Sequence, residues 1–137
     1  MSFDHERLDV YRVSIEFVRW INELLEGPLA GCQISAIKQL DRASTSIPLN
    51  IAEGNGKRSS RDRCRYFDTA RGSAFECAAS LDVLVARKVL QDERTAAGKV
   101  LLVRIIEMLS KITLKLLGSL RDGAEHEHAY EHEHGTK

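Results

Sequence analysis

The chain has 137 residues, a length that suits one domain with one hydrophobic core. Apolar residues make up 43% of it and charged residues 29%, as is typical of a globular protein. Because its formal net charge is zero, attraction to nucleic acid or to a membrane surface must come from a local patch of charge and not from the whole molecule.

The first predicted helix covers residues 4–26. Its apolar residues recur at spacings of three and four, which places them on one helical face. They are Leu8, Tyr11, Ile15, Val18, Ile21, Leu24 and Leu25. Gly27 and Pro28 end the helix, because glycine suits the C-terminal cap and proline cannot continue the hydrogen-bond ladder. Residues 1–10 lack the apolar run of a signal peptide.

The second predicted helix covers residues 33–53 and contains a proline. Its apolar face consists of Ile34, Ile37, Leu40, Ile47 and Ile51. Pro48 lies inside this pattern, where the loss of a backbone donor costs about 3 kcal/mol. The helix therefore either kinks at Pro48 or ends near Ser46 and restarts. Residues 54–56, Gly-Asn-Gly, predict a turn.

The third predicted helix begins at Ser59, where Ser59-x-x-Asp62 resembles a capping box. Its buried stripe consists of Phe67, Ala70, Ala74, Cys77, Leu81 and Leu84. Small residues cluster in the same helix, and Gly72 is one of them. Since a glycine weakens a helix interior by about 1 kcal/mol relative to alanine, we expect another helix to approach closely at Gly72.

The fourth predicted helix covers residues 92–120 and has the widest apolar stripe. The stripe consists of Leu101, Leu102, Ile105, Ile106, Leu109, Ile112, Leu116, Leu117 and Leu120.

Residues 122–137 are rich in histidine and glutamate and predict a disordered tail or a frayed helix end. No stretch approaches the roughly 18 apolar residues of a membrane-spanning helix, so we predict no membrane association.

Four helices with short connections pack most simply as an antiparallel bundle. We therefore predict an all-α, up-and-down four-helix bundle over residues 1–121, with the second helix kinked at Pro48.

The three cysteines, Cys32, Cys64 and Cys77, are widely spaced and form no CxxC pair. We expect them to be reduced and to pack as small apolar residues, which suits a cytoplasmic protein.

The densest charge in the sequence lies in the basic segment, residues 57–71. Its cations are Lys57, Arg58, Arg61, Arg63, Arg65 and Arg71. These six cations against Asp62 and Asp68 leave a local charge of +4. Arginine forks match phosphate geometry, so one interpretation is a contact surface for phosphate or nucleic acid. The other is a solvated first turn of a helix, although cations there oppose the helix dipole.

Arg42, Asn50 and Glu53 form a second polar group within an apolar stretch. Polar residues inside an apolar stripe are costly unless they are paired. An internal network between Arg42 and Glu53 would satisfy them, and so would a cluster shared between subunits. We favour the internal network.

The sequence offers no catalytic or metal-binding constellation that we can support. No nucleophile stands near a base, and His5 is the only histidine outside the tail. The tail contains Glu125-x-x-His128 and Glu131-x-x-His134, a spacing that di-iron bundles use. Such bundles carry these motifs on separate core helices, whereas here both lie in one low-complexity segment. We predict no enzyme activity, no cofactor and no metal site.

Residues 42–59 read RASTSIPLNIAEGNGKRS, and residues 70–76 read ARGSAFE. Together with Leu8-Asp9-Val10-Tyr11, they resemble the bacterial four-helix-bundle family first named from open reading frames in intervening sequences of 23S rRNA. Members share a pattern close to R-A-x-x-S-I-P-x-N-I-A-E-G, a basic G-[KR]-R-S turn and a third helix with A-x-G-S-x-x-E. The resemblance covers roughly residues 8–120.

This resemblance implies a four-helix bundle that assembles as a homopentamer. Related proteins are accessory factors of diversity-generating retroelements, so it also implies binding to nucleic acid and to a reverse transcriptase. Within the motif, it implies that Asn50 and Glu53 tie the kink at Pro48 to the following turn, and that Gly54 and Gly72 serve the fold. Two features depart from the family pattern: Asp41, where many members carry a basic residue, and the histidine-glutamate tail.

The sequence thus predicts a homo-oligomeric scaffold that binds RNA or DNA, RNA in particular, through the basic segment, with a contribution from Arg42. The contact would neutralise phosphates and read few bases. The alternative is a protein-interaction module without a role in nucleic-acid binding. Zero net charge and the wide stripe of the fourth helix favour that alternative.

Overall fold

The structure is a computed structural model that describes the backbone of residues 3–134 and the side chains of residues 3–118. Its four α-helices are α1, Asp9–Glu26; α2, Ser35–Gly56; α3, Ser60–Ala86; and α4, Ala96–His134. Two short 3-10 helices, Asp4–Arg7 and Asp92–Thr95, precede α1 and α4. Between residues 3 and 134 the backbone forms no β-strand, which confirms the predicted all-α class.

The four helices pack in a closed ring. α1 contacts α2 and α4, while α3 contacts α2 and α4, and the most extensive packing is between α2 and α3. Neighbouring helices are antiparallel, since Arg42 near the middle of α2 pairs with Glu76, whereas Gly54 near its end meets Phe67. The predicted up-and-down four-helix bundle is therefore confirmed. None of the helices, as far as the structure describes them, is long and apolar enough to cross a membrane.

The core runs along the axis of the bundle and draws on all four helices. Its largest fully buried side chains are Val10, Phe17, Ile21, Leu40, Ile47, Ile51, Phe67, Leu81, Leu84, Leu102, Ile105 and Leu109. Burying each such side chain contributes on the order of 1.5–3 kcal/mol. The buried hydroxyls of Ser14, Ser44 and Thr113 donate to carbonyls of their own helices, as where Ser14 Oγ donates to the Tyr11 carbonyl at 2.6 Å. The stripe predicted for the third helix is confirmed, because all of its members are buried.

The buried face of α1 differs from the predicted one. It consists of Val10, Val13, Ser14, Phe17, Ile21 and Leu24. Half-buried instead are Leu8, Tyr11, Ile15, Val18 and Leu25. The prediction was wrong by one residue position over most of the helix. Apolar residues cover so much of α1 that two overlapping stripes satisfy the helical spacing, and only the positions of α2 and α4 decide between them.

α2 runs without interruption through Pro48, so the alternative of a helix end near Ser46 is excluded. Pro48 is buried and has no N–H to donate to the Ser44 carbonyl. The Asn50 side chain supplies donors one turn away: its Nδ2 donates to the carbonyl and to the hydroxyl of Ser46, both at 2.9 Å. Ser46 Oγ also lies 2.9 Å from Ser73 Oγ on α3. The hydrogen bonds of Asn50 thus run back to Ser46, and through Ser46 to the neighbouring helix, and not to the following turn as the resemblance implied.

The turn predicted at residues 54–56 is also wrong, because α2 continues to Gly56 and only residues 57–59 connect it to α3. The reason lies in packing that the sequence does not show. Gly54 is buried, and a Cβ there would lie 2.9 Å from Phe67 Cε1 and 3.0 Å from Tyr66 Cβ. Close contact with α3 thus holds Gly54 in a helical conformation that its own preference does not favour.

Close approaches at glycines occur elsewhere than predicted. Gly72 is exposed and has open space where a Cβ would stand, so the expected close contact at Gly72 is absent among the residues that the structure describes. Another helix approaches closely at Gly54 and at Gly98 instead. Gly98 opens α4 to the indole of Trp20, whose ring atoms occupy the place of a Cβ. Trp20 in turn stacks on Phe17, with ring centroids 5.7 Å apart. Gly98 therefore sets the distance between α1 and α4.

α4 extends to His134 and includes most of the segment that we predicted to be a tail. The side chains beyond residue 118 lie outside the described residues. The prediction for residues 122–137 therefore stays a prediction.

Replacement of Gly98 by alanine should destabilise the protein by about 1–3 kcal/mol, because the added methyl group displaces the Trp20 indole from a well-packed site. Thermal unfolding followed by circular dichroism measures this. Gly72→Ala is the matched control: it removes a helix-interior glycine in open space and should stabilise the fold by about 0.5–1 kcal/mol. Equal shifts in the same direction for both variants would contradict the contact with Trp20.

Candidate nucleic-acid interface

The connection between α2 and α3 brings four cations of the basic segment together. Ser59 is the N-cap of α3, and its hydroxyl accepts a hydrogen bond from the Asp62 amide at 3.1 Å, which confirms the predicted cap. This cap fixes where α3 begins, and the cations lie on both sides of it. Lys57 and Arg58 precede the cap, and Arg61 and Arg65 follow it. We call these four residues the turn cluster.

Tyr66 organises two members of the turn cluster. The Lys57 ammonium lies 5.1 Å from the centroid of the Tyr66 ring, and the Arg65 guanidinium lies 5.5 Å from it. Both distances suit cation–π attraction, which is worth roughly 0.5–1 kcal/mol at exposed sites. The Cβ of Tyr66 packs against Gly54, so the close contact between α2 and α3 also places the ring. Local packing thereby restricts two long cationic side chains to one side of the turn.

The remaining members of the turn cluster are exposed to solvent. Arg58 and Arg61 are exposed, and neither forms an ion pair with another described residue. Arg65 is 3.5 Å from Asp62, but both side chains are largely exposed, so this pair contributes little. Positive charge at the start of a helix is opposed by the helix dipole. The turn cluster is thus a concentration of positive charge that little in the bundle neutralises.

Arg63 belongs to the basic segment but points away from the turn cluster. Its Nη2 donates to Asn55 Oδ1 at 3.4 Å, its guanidinium lies 5.9 Å from the Phe67 ring, and its Nε is buried without a partner. Asn55 also donates through Nδ2 to Asp4 Oδ2 at 2.9 Å. Asn55 thereby links the first 3-10 helix, the end of α2 and the start of α3. Arg63 serves this junction and offers little surface to a ligand.

Arg71 and Arg42 are engaged in contacts between helices. Arg71 Nε donates to Ser110 Oγ on α4 at 3.0 Å, and its guanidinium lies 5.2 Å from the Phe75 ring. Arg42 pairs with Glu76 on α3 and donates to Gln39 Oε1 at 2.9 Å. Since α3 rises about 1.5 Å per residue, Glu76 lies about 22 Å along the helix from Arg61. The structure therefore separates Arg42 from the turn cluster, and it engages Arg71 with Ser110 on α4.

The predicted network between Arg42 and Glu53 is wrong. Arg42 takes Glu76 as its partner, while the Glu53 carboxylate is exposed and forms no hydrogen bond or ion pair with another described residue. α2 and α3 lie side by side, so a carboxylate on the facing helix is nearer to Arg42 than one three turns along its own helix. The sequence did contain a signal, because Glu76 ends the A-x-G-S-x-x-E part of the motif.

The cysteines are poor candidates for chemistry. Cys64 and Cys77 are buried, and burial, with the nearby Glu76 carboxylate, raises the pKa of the Cys77 thiol to about 12. A thiol with so high a pKa stays protonated and is a weak nucleophile. Within the part of the chain whose side chains are described, no three histidine, cysteine or acidic residues lie close enough together to share a metal ion.

Alkylation of the native protein by N-ethylmaleimide near pH 7.5 should therefore modify Cys32, which is half-buried, before Cys64 and Cys77. In denaturant all three cysteines should react at similar rates, which serves as the control. Peptide mass spectrometry reports the extent of modification at each site. Rapid modification of Cys77 in the folded protein would show that the contact between α2 and α3 opens easily.

Comparison with known proteins places this bundle in a family. The sequence profile described as "23S rRNA-intervening sequence protein" matches residues 6–111. Among solved structures, the chain is similar to a protein of unknown function from the S23 ribosomal protein family of Bacteroides thetaiotaomicron, with a TM-score of 0.70 and 25% sequence identity. That alignment covers 76% of this chain and 97% of the other. No functionally curated protein matches. The matched region spans the motif-bearing helices α2 and α3 and most of the bundle, and the chain belongs to the family of 23S rRNA-intervening sequence proteins.

Proposed function

We propose that this protein is a non-catalytic, homo-oligomeric scaffold of the cytoplasm that binds nucleic acid, RNA in particular, through the turn cluster. The observation that carries the proposal is the concentration of four cations around the start of α3. Among residues 3–118, only one of the four has an ion pair, and that pair is exposed. The chain as a whole has a formal net charge of zero, so attraction to a polyanion must come from a local concentration of charge such as this one.

The turn cluster would act on the phosphate backbone. Arginine forks donate two parallel hydrogen bonds to a phosphate, and the lysine adds a compact charge. The unpaired amides at the start of α3 add further donors for an anion. Neutralising each phosphate releases bound counterions, so four contacts correspond to a salt-dependence slope of about −3 for a single strand. Little in such a surface distinguishes one base from another, which implies weak sequence preference.

Self-association would multiply this weak site. An exposed apolar surface lies on the side of the bundle formed by α3 and α4. Its members are Phe75 (50% exposed), Val83 (42%), Val100 (60%) and Val103 (53%). The Asp82–Lys99 ion pair, at 2.6 Å, holds the two helices side by side there. Burial of this surface against other copies would remove apolar area from water. The family resemblance favours a pentamer, in which five turn clusters would bind one strand together.

The same apolar surface supports the second candidate function, a protein-interaction module without a role in nucleic-acid binding. In that case α3 and α4 would receive a foreign protein, for which a reverse transcriptase is the partner that the resemblance implies. This candidate predicts that charge changes in the turn cluster leave the function of the protein unaltered. Binding to nucleic acid therefore decides between the two.

Replacing Arg58, Arg61 and Arg65 together by alanine should lower the affinity for a short RNA at least about tenfold near 100 mM salt and reduce the salt slope by about 2–3, because three phosphate contacts are lost. Fluorescence anisotropy across a series of salt concentrations measures both quantities.

A variant with Arg19, Arg87 and Arg94 replaced by alanine is the matched control. These exposed arginines carry the same total charge but lie toward the opposite end of the bundle, where Trp20 meets Gly98. It should retain the affinity and the slope of the wild type. If the two triple variants bind RNA equally well, the turn cluster is not the interface.

Phe75→Asp combined with Val103→Asp should dissociate the assembly, because it places two charges on the apolar surface of α3 and α4. Light scattering should show the mass falling to that of a single chain, while circular dichroism shows unchanged helicity since both positions are exposed. The conservative pair Phe75→Leu and Val103→Ile keeps the surface apolar and should keep the oligomeric mass. An oligomer that survives both aspartates would exclude this surface as the interface.

A further inference from the structure

An aromatic stack lies beside the turn cluster. Phe3 is 71% exposed, the largest exposed fraction among the large apolar residues whose side chains are described. Its ring stacks on the His5 ring, with centroids 5.8 Å apart and planes inclined by 16°. His5 in turn meets the Tyr11 ring edge-on, with centroids 4.7 Å apart. One face of Phe3 is thus supported from within the bundle while much of the side chain remains open to solvent.

Hydrogen bonds fix the stack next to the turn. Asp4, between the two stacked rings in sequence, accepts the 2.9 Å hydrogen bond from Asn55. Asn55 stands two residues before Lys57, and two residues span at most about 7 Å. Asn55 also holds Arg63 at 3.4 Å, so the start of α3 is tied to the same point. The aromatic stack and the turn cluster therefore lie at the same end of the bundle, joined through Asn55.

Core packing does not account for the position of Phe3. Its ring covers His5 but contributes little buried area, whereas the nearby Tyr11 packs against the core. Single exposed apolar residues are common on protein surfaces and need no explanation. Here, however, the exposed ring is already stacked, and it lies at the same end of the bundle as Arg58 and Arg61, which form no ion pair with another described residue. Surfaces that bind single-stranded nucleic acid combine these two elements: cations that follow the backbone and an aromatic face for a base.

We propose that the Phe3–His5 stack is a base-stacking platform, and that the ligand of the turn cluster is therefore single-stranded nucleic acid. An unpaired base would lie on the open face of Phe3 while the adjoining phosphates contact Lys57 and Arg58. A duplex keeps its bases stacked on one another and has none to place on a surface ring. This inference rests on the proposed function, because without phosphate binding by the turn cluster the platform has no strand to hold.

The test compares a uridine-rich RNA 12-mer carrying one 2-aminopurine with a hairpin duplex of equal charge. The full-length wild type should bind the single strand more tightly and quench the 2-aminopurine fluorescence, since stacking on an aromatic ring quenches it. Phe3→Ala should weaken binding to the single strand at least about fivefold, abolish the added quenching, and leave the salt slope and the affinity for the duplex unaltered. Phe3→Trp should preserve both affinity and quenching.

Leu49→Ala, which trims an exposed apolar residue of α2 (62% exposed) outside both the turn cluster and the apolar surface of α3 and α4, is the control and should behave as the wild type. If Phe3→Ala binds and quenches like the wild type, or if the wild type prefers the duplex, the platform is overturned while phosphate binding by the turn cluster stands. If the wild type binds neither RNA at low salt, the proposed function fails and the platform fails with it. Loss of binding in the Arg58, Arg61 and Arg65 variant together with retained binding in Phe3→Ala separates the two cases.

Discussion

The close packing of α2 on α3 is the constraint on which the rest of the structure depends. Gly54 allows Phe67 and Tyr66 to approach the α2 backbone to about the van der Waals limit, and Ser46 reaches Ser73 across the same interface. With this contact in place, α2 stays helical past Pro48 and on to Gly56, at positions where the local sequence alone favours a break. It shortens the connection to residues 57–59. The turn cluster is therefore presented on a tight, capped turn and not on a long loop.

The short turn restricts the conformational freedom of the cationic side chains that it carries. Lys57 and Arg65 are held near Tyr66, and Tyr66 is itself held by Gly54, so the cations lose less conformational freedom when a ligand binds than they would in a flexible loop. Arg63 is bonded to Asn55 at the junction, so the outer surface of the turn is formed by the four cations of the turn cluster. The motif residues of α2 and α3 thus specify packing first, and any binding function follows from the way that packing arranges the turn.

Much of this was accessible from the sequence, and the failures share a physical cause. Helix type, number and order follow from apolar spacing, and the Ser59 cap follows from local chemistry, because both depend on residues close in the chain. The buried face of α1, the partner of Arg42 and the close approaches at glycines depend instead on which helix lies opposite. Gly72 and Gly98 look alike in the sequence, yet only Gly98 faces an indole. The aromatic stack at Phe3 could not be predicted, because its position near the turn depends on the hydrogen bond between Asp4 and Asn55, which are remote in sequence.

The zero net charge of the chain and the local charge of the turn cluster also bear on whether one protomer or an oligomer would bind a strand. Four cations on one protomer give modest affinity that falls steeply with salt, whereas repeated copies of the same site on a closed ring raise the effective concentration of each site for a bound strand. An apolar surface on α3 and α4 lies on a different part of the bundle from the turn, so copies joined through Phe75 and Val103 would leave the turn clusters uncovered. Assembly and binding would then use separate surfaces, the first on α3 and α4 and the second at the connection of α2 to α3. Under the proposed function the oligomer would be the unit that binds, which would explain how a chain with no net charge holds a polyanion.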